Sequence, residues 1–330
     1  MVNILKPEES IIQLLENRRY ISGEKLAKKL NLSRTAIWKH IKKLRSQNYV
    51  IESKPKAGYK LTKKTSLLLP FEIKNNLKTS FLGKEIRHFE EVDSTQEIAK
   101  RMAREGAGEG TLIISERQKL GRGRMGRKWI SPTGGVWLSL ILRPKLAPSQ
   151  AQRITLAVAV ATAKTFNRLY NINAKIKWPN DILVNGRKIC GILIETEGEM
   201  DRLNFMIVGV GANINVNIEA ESEIVNIATS VRSLLGREVF RPEFVRVFLE
   251  EFEYLYNQCN SGFFSEILIE WRNLSDTLGK LVTVETPNEK FEGVASDLDN
   301  DGFLIVKLSN GTERKIFSGD IKIMRSAIQI

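Results

Sequence analysis

Residues 177–195 read KWPNDILVNGRKICGILIE, and the Asn185-Gly186 pair near their centre decides how the surrounding chain folds. Asn-Gly between two apolar runs is the strongest short-range signal for a two-residue hairpin, because both central positions of the favoured turn need positive φ. If the loop is that pair alone, Val184 faces Arg187, Leu183 faces Lys188 and Asp181 faces Cys190. Alternation then brings Asp181 and Lys188 to one sheet face as diagonal neighbours, roughly 7–8 Å apart at the backbone. A cation and a carboxylate so placed suit a phosphate and its magnesium ion. The commoner fate of such residues is a surface ion pair of no consequence.

Outward from this hairpin, residues 67–272 alternate strand patterns with helices such as SQAQRITLAVAVATAKTFNRLY and RPEFVRVFLEEFEYLYN, which implies an α/β domain built on a mixed sheet. TLIISERQ (111–118) reads as a buried strand that feeds GRGRMGRKW (121–129). There, three glycines free the backbone for positive φ and for close approach of a ligand, while Arg122, Arg124 and Arg127 can converge on anionic oxygens beside the flat Trp129. The loop matches G-x-G-x-x-G literally, but Pro132 and further glycines stand where a dinucleotide-binding helix would begin. STQEIAKRMAREG (94–106) predicts a helix with Ser94 and Glu97 as a capping box and Gly106 as its stop, leaving Ser94, Thr95 and Gln96 at the N-terminus with polar groups to offer. In GVGANINVN (209–217), Gly209 and Gly211 allow close packing and Asn213 offers an amide. From about 275, LVTVE, FEGVAS, FLIVKL and RKIF around Asn310-Gly311 read as a small barrel. DLDNDG (297–302) resembles half a calcium loop, but Leu308 holds the position of the bidentate glutamate, so a turn is expected.

At the other end, SGEKLAKKLNLSRTAIWKHIKKLRSQNY predicts two helices joined by a tight turn, capped by Ser22 and Ser33. Leu26, Ala27 and Leu30 form one apolar face, and Ile37, Ile41 and Leu44 the other. The outer face of the second helix presents Ser33, Arg34, Thr35, Lys39, His40 and Lys42, and YVIESKPKAGYKL follows as a basic wing, with TKKTS (62–66) as a linker. Helix, turn, helix and wing is a shape that enters a major groove while cations neutralise phosphates. Charge supports this: residues 1–64 hold sixteen Lys or Arg and five Glu, a net +11 of the chain's +13, leaving +2 for the other 266 residues.

Composition bounds the rest. The 330 residues, 42% hydrophobic and 27% charged, describe an ordinary globular chain of two or three domains. The longest apolar run, ITLAVAVATA (154–163), falls well short of a bilayer span, and MVNILKPEES has no signal-peptide core, so a cytoplasmic location without a membrane partner is expected. Cys190 and Cys259 are too few for a disulfide framework or a zinc site and read as small buried apolar side chains. With His40 and His88 as the only histidines, neither a His-based triad nor a His-rich metal cluster is expected, and any chemistry is expected to rest on lysine, arginine, carboxylates and backbone groups.

Taken together, GRGRMGRKW, KWPND followed by Lys188 and GILIE, the Ser-Thr at 94–95 and GVGANINVN make the chain resemble, over essentially its whole length, the bifunctional biotin protein ligases that double as biotin-operon repressors. Met125 stands where that family is often basic, and Gln96 where asparagine is frequent. The resemblance implies an α/β (α+β) multidomain chain. Residues 1–64 would form a winged helix-turn-helix domain, 67–272 a class II synthetase-like ligase domain on a mixed sheet, and 275–330 an SH3-like small β-barrel. It also implies that biotin and ATP, with Mg2+, give biotinyl-5'-adenylate, and that a lysine of the biotin carboxyl carrier protein takes the acyl group. Ser94, Thr95, Gln96, Gln118, Arg122, Gly123, Arg124 and Lys188 would line the biotin site, with Gly191, Gly209 and Gly211 packed close. Arg124, Arg127, Trp129, Asn180, Asp181 and Asn213 would face ATP or the adenylate, Asp181 through magnesium. Lys188 would bridge carboxylate and α-phosphate, supported by Lys177. The arginine loop would order over the adenylate, and Arg122→Gly would let it escape. The adenylate-bound chain would dimerise on a two-half-site operator DNA. The rivals are a non-enzymatic ligand-sensing transcription factor and a lipoate ligase.

Overall fold

The structure, a computed structural model, describes residues 5–17, 19–199, 202–286 and 289–324. The first four residues and the tail 325–330 of the expected third domain lie outside the described residues. The chain divides into two compact units, the first reaching Glu72 and the second beginning at Ile73.

In the first unit, α1 (Pro7–Leu15), α2 (Gly23–Leu30) and α3 (Arg34–Ser46) precede a hairpin of β1 (Val50–Lys54) and β2 (Gly58–Lys63). Both expected caps form: Ser22 Oγ accepts from Lys25 N at 3.1 Å and Ser33 Oγ from Ala36 N at 3.0 Å. Between them Asn31 closes α2 at φ 53°, the left-handed position that makes the turn tight. Leu26, Ile37, Ile41 and Leu44 bury against Ile11, Ile12 and Leu15 of α1, so the apolar stripes of three helices make one small core. Arg45 fastens the hairpin to α3 by donating to Ile51 O at 2.6 Å and Ser53 Oγ at 2.7 Å. The stretch TKKTS is tied down. Its first two residues lie in β2, Lys64 reaches Glu16 at 2.6 Å and Glu72 at 3.4 Å, and Thr65 is buried. The unit ends within the short helix α4 (Pro70–Lys74).

The second unit holds a seven-stranded sheet of β3 (Ile86–Val92), β4 (Leu112–Gln118), β5 (Val136–Leu142), β6 (Lys175–Lys177), β7 (Asp181–Val184), β8 (Arg187–Gly198) and β9 (Leu203–Ala212). Its order is β3-β4-β5-β9-β8-β7-β6. β3 and β4 run parallel and the other pairs antiparallel, so the sheet is mixed, as expected. Between β3 and β4 lies α5 (Thr95–Arg104), whose Ala99 and Ala103 pack on Ile113, Ile141 and Ile207. The predicted long helices are α6 (Ala151–Tyr170) and α8 (Arg241–Asn260), joined by α7 (Val231–Leu235) and α9 (Phe264–Leu274). Cys190 and Cys259 are both buried and free.

A buried ion pair with a histidine beside it was not foreseen from the sequence. Glu116 of β4 meets Arg241 at 2.7 Å and His88 at 3.1 Å, and Arg241 also donates to Gly135 O at 2.7 Å. Pairing and hydrogen bonds are what make such burial tolerable. The triad ties β4 to the start of α8.

Beyond α9, β10 (Leu281–Glu285), β11 (Lys290–Leu298), β12 (Leu304–Lys307), β13 (Glu313–Ile316) and β14 (Asp320–Ile323) form an antiparallel sheet in the order β13-β12-β11-β10-β14. DLDNDG is a hairpin turn: Asp299 Oδ1 accepts from Asp301 N and Phe303 N, each at 2.9 Å. β14 escaped the strand reading because it is only four residues long, DIKI, and follows a Ser-Gly pair that reads as loop. Trp178 N donates to Thr277 Oγ1 at 2.9 Å and Asp276 N to Ile176 O at 2.7 Å, which fastens this sheet beside β6 and β7.

Candidate functional site

Asn185 and Gly186 turn the β7–β8 hairpin with φ 51° and 75°. Val184 faces Arg187 and Leu183 faces Lys188, as the two-residue loop requires. Beyond that the register shifts: Cys190 faces Ile182, and Asp181 faces Gly191, where a regular ladder put Cys190. The extra residue is Ile189, a bulge on β8. Its cause is a neighbouring chain. Lys188 N and O bond to Ile227 O and Thr229 N at 2.9 Å each, while Ile189 O accepts from Asn213 N at 2.9 Å. The bulge aims Lys188 at Asp181, and Nζ meets Oδ1 at 2.6 Å.

The arginine loop closes on itself as a small strap. Arg122 pairs with Lys128, Gly123 N donates to Arg127 O at 2.7 Å, and Trp129 N donates to Gly121 O at 2.8 Å. Paired backbone is extended, so of the three glycines expected at positive φ only Gly126 adopts it, at 72°. Gly123 sits at φ −107°. The other left-handed residue of the turn is Met125 at φ 56°, uncommon for a side chain of that size. Gly121 is needed for space, since a Cβ there would collide with the Trp129 carbonyl and Ser131 Oγ.

Four arginines and lysines anchor the strap. Arg122 reaches outward to Glu97 at 2.9 Å and Lys128 to Glu223 at 3.1 Å. Arg127 pairs with Asp320 of β14. Arg124 turns inward, donating to Asn180 Oδ1 at 3.3 Å and Gly319 O at 3.4 Å. Trp129 lies against the sheet over Gly191 and Gly211, where a Cβ at 191 would stand 3.0 Å from the indole and one at 211 would overlap it. The Lys188 ammonium sits 4.9 Å from the ring centroid.

The start of α5 differs from the expected capping box. Ser94 makes no side-chain capping bond, and the Glu97 carboxylate that would complete the box is taken by Lys100 at 2.8 Å and by Arg122. Gln118, at the end of β4, supplies the cap from outside by accepting from Thr95 N at 2.8 Å. Ser139 joins Thr95 Oγ1 and Gln96 Oε1 at 2.9 Å each, and Gln118 Nε2 donates to Ser131 Oγ at 3.0 Å. Gly209 makes room for this cluster, as a Cβ there would come within 2.6 Å of Gln96 Oε1.

One cavity of about 860 Å³ joins the hairpin, the strap and this polar cluster, and every residue assigned above to biotin or ATP lines it. Its two ends differ. Ser94, Thr95, Gln96 and Ser139 give a buried, uncharged, hydrogen-bonding end. Arg124, Arg127, Lys177 and Lys188 give a cationic end that holds the single carboxylate Asp181 from the sheet. Burial lowers Arg124 and Lys177 from their ordinary values; Asp181 opposes this for both, and the neighbouring Lys188 adds to it for Lys177. Asn213 is nearly fully buried and spends its amide on Thr229 O at 3.1 Å, so it braces the loop behind Lys188.

Sequence reading missed Ser139, whose signal was one polar residue inside the wholly buried strand VWLSLIL. It also missed the C-terminal wall, where Thr283, Glu285 and Asp320 reach the cavity. In the first unit, Ser33 is spent as a cap, and Arg34, Thr35, Lys39 and Lys42 are exposed. His40 turns back to Glu8, 3.3 Å away, beside the Lys43–Glu8 pair at 2.5 Å.

Comparison with known proteins agrees with this architecture. Residues 88–213 match the Biotin/lipoate A/B protein ligase family, 8–60 an HTH domain and 277–324 the Biotin protein ligase C terminal domain. The Bifunctional ligase/repressor BirA of Bacillus subtilis is 38% identical over 306 residues, 92% of this chain and 94% of that protein. The chain belongs to the bifunctional biotin protein ligase family. Its Escherichia coli relative of the same name is 28% identical, covering 96% of this chain and 97% of that protein. Among solved structures, the biotin protein ligase from Aquifex aeolicus in complex with biotin and ATP superposes with a TM-score of 0.65 at 28% identity, over 74% of this chain and all of that one. No helix among the described residues is long and apolar enough to cross a membrane.

Proposed function

We propose that the cavity joins biotin to AMP and passes the acyl group to a lysine of the biotin carboxyl carrier protein. The observation that carries this reading is the polarity of the cavity: an uncharged end that offers both donors and acceptors opens onto an end with four cations. A ureido ring, with two N–H donors and one carbonyl, can join the hydrogen-bonded cluster of Thr95, Gln96, Gln118 and Ser139, whereas the dithiolane of lipoate brings it neither an N–H donor nor a carbonyl.

Both reactants are anions. A carboxylate oxygen attacks the α-phosphorus, the bond from phosphorus to the β-bridging oxygen breaks, and pyrophosphate leaves with the electron pair. Lys188, held by Asp181 and Trp129, would bridge the carboxylate and the α-phosphate, and Arg124 and Lys177 would take up charge on the phosphate oxygens. Arg124 and Lys177, already partly desolvated by the fold, need little reorganisation when charge develops, which is the physical basis of the rate gain. In the second step the carrier's amine attacks the acyl carbon, AMP leaves and the amide loses its proton to solvent. Trp129 would face the nucleotide, and the strap would shield the mixed anhydride from water.

Magnesium would serve as counterion to the phosphates. No cluster of three or more His, Cys, Asp or Glu exists among the described residues, so the ion would take most of its oxygens from phosphate and one from Asp181.

The first unit would carry the repressor role, binding operator DNA as an adenylate-loaded homodimer. Mixing the chain with ATP and biotin tests the reading: pyrophosphate is released, and an added carrier protein gains biotin on one lysine. Release with lipoate but not biotin would overturn the substrate, and no release with either would favour a ligand-sensing transcription factor.

A further inference from the structure

Among the described residues of the first unit, Trp38 is the most exposed large apolar side chain, at 52%, and it stands in the middle of the outward face of α3. Residues 34, 38 and 42 lie at i, i+4 and i+8, so Arg34, Trp38 and Lys42 form one stripe, flanked by Thr35 and Lys39. Lys42 places its ammonium 5.7 Å from the indole centroid, close enough for a cation–π attraction that orients the ring. Elsewhere on the helix the apolar residues Ile37, Ile41 and Leu44 are buried, and Glu8 draws His40 and Lys43 to the α1 side. The stripe that remains is cationic around one flat apolar group.

A phosphate can take the indole N–H but has no use for the flat apolar face, since its contacts are made by cations and hydrogen-bond donors. A base edge does. Within the major groove the one apolar feature of a base pair is the C5-methyl of thymine, and a helix reads base edges from its N-terminal part. Trp38 is the fifth residue of α3. Building on the DNA-binding reading of this unit, we infer that Trp38 is a sequence-reading residue that packs its indole on a thymine methyl in each half-site, while Arg34, Lys39 and Lys42 hold the flanking phosphates. The sequence reading named the polar residues of this face and left the tryptophan among them out.

Selection of binding sites from a randomised duplex library, by the full chain with biotin and ATP present, supplies the probe. Wild type is expected to enrich a site with a fixed thymine in each half. Trp38→Ala is expected to lose at least about tenfold on that site while binding random duplex as wild type does, with Trp38→Phe in between. Replacing the fixed thymine by deoxyuridine removes only the methyl and should cost wild type about fourfold per position, and Trp38→Ala nothing. Equal losses by Trp38→Ala on selected and random duplex, or unchanged deoxyuridine sensitivity, would overturn the inference. Failure of wild type to enrich any site would overturn the DNA-binding reading itself, and this inference with it.

Discussion

Two cationic regions of this molecule are built from the same residue types to opposite designs. Around α3 and the wing, Arg34, Lys39, Lys42, Lys54 and Lys56 are exposed, so each keeps its hydration and acts at long range. Around the cavity, Arg124 and Lys177 are half-buried, and burial pulls both below their ordinary values. The first arrangement suits a polyanion held by many weak contacts, and the second suits one small anion whose charge changes during reaction. Net charge by itself located the first region. It gave no hint of the second, because carboxylates such as Glu97, Glu223 and Asp320 offset the strap's cations.

Five tests bear on the difference between the two regions. Lys188→Ala removes the cation at the reacting centre and should cut pyrophosphate release about a thousandfold or more; a loss below tenfold would remove Lys188 from the chemistry. Salt should separate the regions. If about six cations of the first unit neutralise phosphates, DNA affinity should fall about a thousandfold between 50 and 200 mM salt, whereas adenylation should change only a few-fold. Arg124→Ala takes away the inward anchor of the strap, and the half-life of bound adenylate should shorten roughly ten- to a hundredfold, with stray lysines labelled as it escapes. Arg122→Gly breaks the outward tie to Glu97 and should release adenylate less strongly.

The smallest effect concerns stability. The Lys177 ammonium has a folded-state pKa below its unfolded value, chiefly through burial. The sign follows: its charge costs the fold stability in full below the folded pKa, and the cost fades as pH rises through the folded pKa towards the unfolded one. At neutral pH Lys177→Met should therefore raise the melting temperature by a few degrees while slowing adenylation. A lowered melting temperature would show that Asp181 more than compensates the ammonium.

Much of this was legible in the sequence because local rules agreed with the fold. Asn185-Gly186, the caps Ser22 and Ser33, and the apolar spacing of Ile37, Ile41 and Leu44 each have a local cause, and each formed. What local rules could not supply came from distant partners. The Ile189 bulge exists because residues 227–229 pair with Lys188, forty positions along the chain. The capping box at Ser94 does not form: Arg122 and Lys100 hold the Glu97 carboxylate, and Gln118 caps the helix through Thr95 N. Asp320 meets Arg127 only because β14 returns beside the cavity. The candidate residues could be named from motifs, but their shared cavity is a property of tertiary structure.

If strap and hairpin close on one acyl nucleotide, a crystal structure of the chain with a non-hydrolysable biotinyl-adenylate analogue will show the phosphate surrogate within hydrogen-bonding distance of both Lys188 and Arg124, with the ureido ring among Thr95, Gln96 and Ser139. An analogue bound away from Lys188, or with its ureido ring at the cationic end, would contradict it.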